Sequence, residues 1–248
     1  LAATTDANNG LINLGTLAVG YGGFILNTHG TGNATVVNAT YIGFQSTTVV
    51  GGNLSATATR GSIRDWGGTI TVAGTSSFTT SASNNNSYID LDTTTNAFTG
   101  AVTLNTTGSS GHASIDNGTT ALNIAASSVG GNLTLTSGHA SGITDSGTVT
   151  VGGNFAAITD ANNGVINMGT LAVNGTVGLQ TNGSGNATVV NDAGLNFAAS
   201  TVGGNLAATA TTGNMTDSGT VTVGGNLAAI TDANNGVINL GTLAVDGS

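Results

Sequence analysis

The 248-residue sequence contains no cysteine, proline, lysine or glutamate, and only 5% of its residues are charged. An ordinary globular chain uses roughly 25% charged residues. Without cysteine the chain forms no disulfides, which is common among large bacterial surface proteins. The nucleophile motif Gly-x-Ser-x-Gly is also missing. These absences indicate a chain more repetitive than a globular enzyme.

The charge balance narrows the choice of partners. The formal net charge is −9, and all 11 acidic residues are isolated aspartates. This excludes the basic stripe that nucleic-acid binding requires, and it disfavours anionic lipid surfaces. The sequence has no apolar run long enough to cross a bilayer and no basic start followed by an apolar core. It therefore predicts neither a membrane span nor a signal peptide.

The 41 glycines and the low aromatic content of 4% resemble a disordered linker. However, 38% of the residues are apolar, and short Val, Leu and Ile runs recur at fixed intervals. Residues 148–174 return almost unchanged as residues 220–246, and residues 1–19 form a third copy. VGGN-type elements recur, often with a spacing of roughly 22 residues, and such a period is typical of solenoids. They begin at Val50, Val129, Val151, Val202 and Val223.

Alternating segments such as NLTLT, interrupted by Gly and Asn-Gly, predict short strands and turns. Stacking the repeats places Leu133 over Phe155 and Val149 over Leu171, which creates a continuous aliphatic column. The sequence therefore predicts an all-β parallel β-helix (β-solenoid) of about ten coils, each of roughly 22 residues. At about 4.8 Å per coil, the rod would be roughly 50 Å long.

Three coils form a larger unit, in which one apolar position recurs at equivalent places. These places are Leu14, Leu91, Met168 and Leu240. Coil A covers residues 131–152, coil B residues 153–174 and the longer coil C residues 175–203. We find no capping coil at either end. Residues 1–248 are therefore expected to be a single uncapped solenoid segment, either a window of a longer array or one subunit of an end-to-end filament.

Asparagine has a predicted structural role, because side-chain amides stacked at a corner can hydrogen-bond from coil to coil. Asn132 over Asn154 and Asn205 over Asn226 have this spacing. The Asn-Asn-Gly segments at 162–164 and 234–236 predict corners with left-handed backbone angles.

The strings VGGNLTLTSG, ITDSGTVTVGGN and INLGTLAV closely resemble the repeats of filamentous haemagglutinin-like exoproteins, adhesins that Gram-negative bacteria export by two-partner secretion. The resemblance implies a right-handed β-helical shaft, export without disulfides and a role in attachment or biofilm. The secretion module of that family has no counterpart in this sequence. Similar adhesins carry sugar on asparagine, so the resemblance also implies glycosylation at Asn-x-Ser/Thr sequons. Such sequons begin at Asn33, Asn38, Asn53, Asn132, Asn186 and Asn214.

One stretch departs from the repeat. ATRGSIRDW, residues 58–66, contains Arg60, Arg64, Asp65 and the sole tryptophan, Trp66, where the third unit has ATTGNMTDS. One interpretation is a sugar-contacting patch, in which Trp66 and Tyr88 of the next coil stack on a pyranose ring while Arg64 and Asp65 bind its hydroxyls. The alternative is repeat drift, with an exposed Arg-Asp pair worth under about 1 kcal/mol.

Other candidate ligands are sparse. His29, His112 and His139 lie far apart in Gly-rich turns, where they are expected to be solvated, and no metal site is predicted from them. No cofactor is expected. Calcium is the one cation to consider, since Asp160 and Asp232 recur at equivalent corners, but an Asp that bonds its own turn has the same pattern.

The sequence favours a non-catalytic structural shaft of a bacterial extracellular adhesin or matrix filament, located at the cell surface. Its partners would be neighbouring coils or subunits, with host or matrix carbohydrate as a further candidate, and neither nucleic acid nor membrane insertion is expected. The alternative is a carbohydrate-binding or polysaccharide-cleaving β-helix that uses the patch around Trp66.

Overall fold

A computed structural model shows an all-β parallel solenoid of about 11 turns, with about 22 residues per turn. The structure describes residues 1–20, 23–81, 87–232 and 234–247. Within these ranges there is no helix at all, and hence none that could cross a membrane. The predicted fold class and period are confirmed, while the right-handed sense of the winding stays a prediction.

The chain passes back and forth between two sheets on opposite sides of the rod, and it often contributes two consecutive strands to one sheet before it crosses to the other. The first sheet contains β1 (Ala2–Thr4), β3 (Gly23–Asn27), β5 (Ile42–Phe44), β6 (Thr48–Val50), β8 (Ile63–Arg64), β9 (Ile70–Val72), β11 (Ile89–Leu91), β12 (Ala97–Phe98), β14 (Ala113–Asp116), β17 (Leu133–Ser137), β20 (Phe155–Thr159), β22 (Thr176–Gln180), β24 (Leu195–Phe197), β25 (Ser200–Val202), β27 (Met215–Asp217), β28 (Val221–Val223), β30 (Ile238–Asn239) and β31 (Leu243–Val245). The second contains β2 (Ile12–Leu17), β4 (Ala34–Asn38), β7 (Leu54–Ala58), β10 (Ser76–Thr80), β13 (Val102–Asn105), β15 (Leu122–Ile124), β16 (Ser127–Val129), β18 (Ile143–Asp145), β19 (Val149–Val151), β21 (Ile166–Val173), β23 (Ala187–Asn191), β26 (Leu206–Ala210) and β29 (Leu227–Thr231).

Each turn pairs in parallel with the turns before and after it, and the core is a set of stacked columns. Leu133 pairs with Phe155, and Val149 with Leu171, as the sequence predicts. All of these side chains are buried. Successive residues of a strand point to opposite sides, so Thr, Ser and Ala between them face outward. All six phenylalanines are also in the core: Phe24, Phe44, Phe78, Phe98, Phe155 and Phe197.

Corner geometry explains the Gly-Gly-Asn period. A Cβ on Gly203 would lie 1.6 Å from the carbonyl oxygen of Gly183 in the preceding turn, so only glycine allows the two corners to stack. Gly152 lies against the carbonyl of Gly130 in the same way, at 2.4 Å. The Asn-Asn-Gly corner has the predicted left-handed angles, with φ of 55° at Asn162.

The larger repeat differs from the prediction of three coils. Strand β20 lies in the first sheet, whereas its sequence equivalent β29 lies in the second. The same alternation relates β1 in the first sheet to β10 in the second. The cause is the length of coil C. It contributes β22 to the first sheet, β23 to the second, and the pair β24 and β25 to the first sheet again. Coil C therefore contains one more crossing between the sheets than a single turn has. The unit therefore spans about three and a half turns, and equivalent residues of successive units lie on opposite sides of the rod.

Candidate functional site

Exposed asparagines form ladders at the corners that precede the five-residue strands. Asn132 Oδ1 accepts a hydrogen bond from the backbone N–H of Asn154 at 2.9 Å, and Asn154 Oδ1 accepts from the N–H of Thr176 at 3.0 Å. Asn205 Oδ1 accepts from the N–H of Asn226 at 2.8 Å. These amides therefore hydrogen-bond from one turn to the next, as the sequence predicts, and their acceptor oxygens bind backbone N–H groups of the following corner. They satisfy corner donors that have no strand partner.

His112 occupies a ladder position. Its Nδ1 accepts a hydrogen bond from the backbone N–H of Asn132 at 2.8 Å. This is the bond that the Asn Oδ1 makes in the neighbouring turns, and it requires a ring with an unprotonated Nδ1. His29 and His139 lie exposed in turns of the rod, where His139 Nδ1 accepts from the N–H of Ser141 at 3.0 Å. The histidines therefore act as turn residues and do not converge.

A second class of asparagine is buried, and sequence reasoning did not identify it. Asn191 Oδ1 accepts from the N–H of Val173 at 2.8 Å, and its Nδ2 donates to the carbonyls of Val173 and Gly194 at 3.1 and 2.8 Å. Asn38 and Asn117 make the same set of bonds in earlier units. A signal was available, because Asn38 and Asn191 both end the string ATVVN. Since Asn38 is fully buried, its sequon is closed to glycosylation in the folded chain.

Aspartates recur at a different corner. Asp217 Oδ1 accepts from the N–H of Gly241 at 2.7 Å, and its Oδ2 accepts from the N–H of Thr242 at 2.9 Å and from the Thr242 hydroxyl. The Thr242 hydroxyl and the two N–H groups hold the pKa of the Asp217 carboxyl below its ordinary value. Asp145 makes equivalent bonds to Gly169 and Thr170. These carboxylates stabilise the bend in the following turn through hydrogen bonds to its backbone.

Asp65 belongs to this corner class, which corrects its predicted role in sugar binding. Its side chain is only 3% exposed. Oδ2 accepts from the N–H of Thr93 at 3.0 Å and from Asn96 Nδ2 at 2.7 Å. The carboxylate therefore faces inward and is already occupied.

Trp66 projects from the same bend. It has a positive φ of 31°, unusual for a bulky residue, and is 38% exposed. A Cβ on Gly43 would lie 2.4 Å from the indole ring, so the ring packs directly on the Gly43 backbone. Gly43 is the register partner of Arg64, which places the indole beside the Arg64 strand position.

Arg64 and Tyr88 are in contact with each other, a pairing that the sequence did not predict, since it placed Tyr88 against a pyranose ring and Arg64 at the hydroxyls of the sugar. The guanidinium carbon lies 4.5 Å from the centroid of the Tyr88 ring, a cation–π distance. Arg64 Nε is buried and has no hydrogen-bond partner among the described residues. Arg60 is exposed in the turn between β7 and β8, at the edge of the patch.

A shallow groove of about 380 Å³ continues from Tyr88 along the rod axis. Outward-facing residues of three consecutive turns line it: Tyr88, Asp90, His112, Ser114, Asn132 and Thr134. Asp90 is the register partner of Arg64, and its Oδ1 accepts from the Ser114 hydroxyl at 2.8 Å.

Two further carboxyls lie near this groove. Burial, then the charges of Asp90 and Asp65, raise the pKa of Asp92, and burial raises the pKa of Asp116.

The corner aspartates considered for calcium do not form a column. Asp160 follows β20 in the first sheet and Asp232 follows β29 in the second, so they lie on opposite sides of the rod. In the parts of the chain that the structure describes, no group of three or more His, Asp or Glu residues could hold a metal ion. Calcium binding therefore stays a prediction that no described cluster supports.

Comparison with known protein families finds a match that covers most of the chain. A family model described as repeats of unknown function (DUF5649) matches residues 31–105, 110–166 and 184–247, more than half of the chain. No curated protein and no solved structure matches the sequence. The match supports a repeat protein, while the specific likeness to filamentous haemagglutinin repeats stays a prediction.

Proposed function

We propose, from the premise that this chain belongs to the family of repeats of unknown function (DUF5649), that it is a structural shaft. In this role the solenoid acts as a stiff spacer within an extended bacterial surface filament or adhesin. It performs no catalysis, and its principal partners are the turns or subunits that stack on it along the axis.

The observation that carries this proposal is the mutual burial of successive turns. Val221 in β28 is fully buried, whereas its register partner Leu243 in the last described turn is 42% exposed. Met215 in β27 is likewise buried, and its partner Ile238 is 46% exposed. Each turn thus obtains its core from its neighbours, which is the energetic basis of a rod whose length scales with the number of repeats.

Two features support a structural role over a catalytic one. The carboxylates of Asp65, Asp145 and Asp217 are engaged in fastening corners, so they are not poised as a general acid and base. The chain contains only two cationic side chains, Arg60 and Arg64, for stabilising developing negative charge.

An extracellular location is part of the proposal. A rod that carries no cysteine folds independently of disulfide formation in an oxidising environment. The resemblance to exported adhesin repeats points the same way. Immunogold labelling of intact and permeabilised source cells tests it, because labelling that required permeabilisation would contradict a surface shaft.

The shaft itself can be tested by lengthening it. Residues 153–224 form one complete unit, and duplicating them after Gly224 recreates the native junction TVTVGGN. Three and a half added turns should extend the rod by about 17 Å without loss of thermal stability. Small-angle scattering measures the length, and a scrambled insert of the same composition serves as the control. If the native and scrambled inserts changed the length alike, the rod would not be extendable.

A further inference from the structure

We propose that the surface formed by Arg64, Trp66 and Tyr88, with the groove that continues past Asp90 and Ser114, is a binding site for a neutral oligosaccharide. The glycan would lie along the rod axis across consecutive turns. This proposal goes beyond the shaft, because a uniform rod needs none of these side chains.

Side-chain types that are rare in this chain are concentrated here. The two cations of the chain, Arg60 and Arg64, lie close together in sequence. Trp66 and Tyr88 lie on consecutive turns, and among the described residues the only other aromatic outside the phenylalanine core is Tyr41, which precedes β5 in the same sheet. Arbitrary drift would spread these residue types along the whole rod, but they meet on adjacent turns.

The fold does not require these side chains. Thr144 and Thr216 hold the position of Arg64 in the other units, and Ser146 and Ser218 hold that of Trp66. Neither serine has a positive φ, whereas Trp66 does. A bulky residue in this backbone region is strained, and such strain clusters at ligand clamps. The indole packs on Gly43 and stays 38% exposed, so part of the ring is open to a ligand.

The geometry fits a sugar. A pyranose presents an apolar ring face to an aromatic surface and hydroxyls at its edge, and Trp66 offers the aromatic surface. Tyr88 supports the Arg64 guanidinium from below, so the planar donors of this arginine are pre-oriented towards hydroxyl acceptors. Farther along the groove, Asp90, Ser114 and Thr134 supply donors and acceptors at intervals of one turn.

The surrounding charge selects a neutral ligand over an anionic one. Asp90, Asp92 and Asp116 lie on the same side of the rod as Arg64, and Asp65 lies just beneath. Burial, followed by the charges of Asp90 and Asp65, raises the pKa of Asp92, and an anionic ligand would add to the repulsion that these carboxylates already exert on one another. Arg60 and Arg64 together carry less charge than these four carboxylates, so they do not offset the repulsion that uronate or sulfate groups would meet.

Trp66 is the only tryptophan, so its fluorescence reports on this site directly. Cellohexaose, maltohexaose and mannohexaose are titrated into the 248-residue chain, with hexagalacturonate as the anionic probe. We expect a saturable change with at least one neutral hexasaccharide and none with hexagalacturonate. Binding of hexagalacturonate alone would overturn the ligand class, and no response to any of the four would overturn the site.

Variants that copy the other units locate the site. Arg64→Thr and Trp66→Ser, measured by calorimetry, should each weaken binding about tenfold or more. Tyr88→Val provides a third variant, since Val165 and Val237 hold the equivalent position. Gln180→Ala, on the same sheet but several turns away, should leave binding unchanged. Undiminished affinity in all three patch variants, with unfolding temperatures unaltered, would refute the location.

Discussion

Replacing the buried Asn191 with alanine tests whether the inner asparagines hold successive turns together. The substitution removes three hydrogen bonds, one from the Val173 N–H and two to the carbonyls of Val173 and Gly194. Asn191 is only 1% exposed, so water does not readily replace these bonds. An orphaned buried polar group costs about 1–3 kcal/mol. With at least the Val173 N–H and one carbonyl left unpaired, we expect Asn191→Ala to lower the free energy of unfolding by about 2–4 kcal/mol.

Asn205→Ala is the matched control, because it makes the same substitution at an exposed ladder position. Asn205 Oδ1 accepts one N–H, from Asn226, and solvent can take its place, so the expected cost is about 0.5–1 kcal/mol. Repeat rods do not always unfold in one step, so urea unfolding should be combined with hydrogen exchange of β21 and β24. Equal costs for the two variants, or unchanged exchange in both strands of Asn191→Ala, would refute the reasoning.

Three further changes test other parts of the rod. His112→Asn should keep the free energy of unfolding within about 0.5 kcal/mol of the native value, because the amide oxygen replaces Nδ1 as the acceptor. His112→Ala removes the acceptor and should lower the free energy of unfolding by about 1 kcal/mol. Equal urea midpoints for the two variants would contradict the ladder role. Asp217 has a lowered pKa, so its carboxylate stabilises the fold above the ordinary aspartate pKa, and this stabilisation is lost as pH falls through the folded-state pKa. Asp217→Asn should therefore reduce the change in unfolding temperature between about pH 5 and 2. Val149→Asp buries an unpaired charge in the core and should cost about 3 kcal/mol or more, so an unchanged melting temperature would show that Val149 does not face inward.

The fold was predictable because its signals are local and repeated. Two-residue alternation in NLTLT specifies a strand with one buried side, and the regular spacing of VGGN specifies which strands stack. Together they predict the register of Leu133 with Phe155 and of Val149 with Leu171. The left-handed corner at Asn162 was predictable from residue type alone, since asparagine and glycine tolerate positive φ.

Features that depend on which side of the rod a segment occupies were not predictable. The sequence predicts one turn for coil C, because the length of the coil alone does not show how often the chain crosses between the sheets. It predicts an exposed Asp65, because a charged residue beside a tryptophan in a polar stretch is typical of the surface. Its acceptor role becomes visible only when Thr93 and Asn96 of the following turn are placed over it. Hydrogen bonds between turns join residues far apart in sequence, and alternation within one strand carries no information about them.

The period of three and a half turns restricts which residues the repeat can contain. Because successive units are rotated by half a turn, the segment that forms β20 in the first sheet must also fold as β29 in the second. Both sheets must therefore offer almost the same environment. The sequence of the repeat has to fit the first sheet in one unit and the second sheet in the next. A segment that is copied from one unit to the next has to pack in the other sheet, so a residue that suits only one sheet is not retained unchanged in both copies. Departures from the repeat consequently stand out against a doubly constrained background, and residues 60–66 together with Tyr88 are such a departure. The proposed ligand site rests on this contrast, because the same residues on a surface without repeats would not be distinguishable from drift.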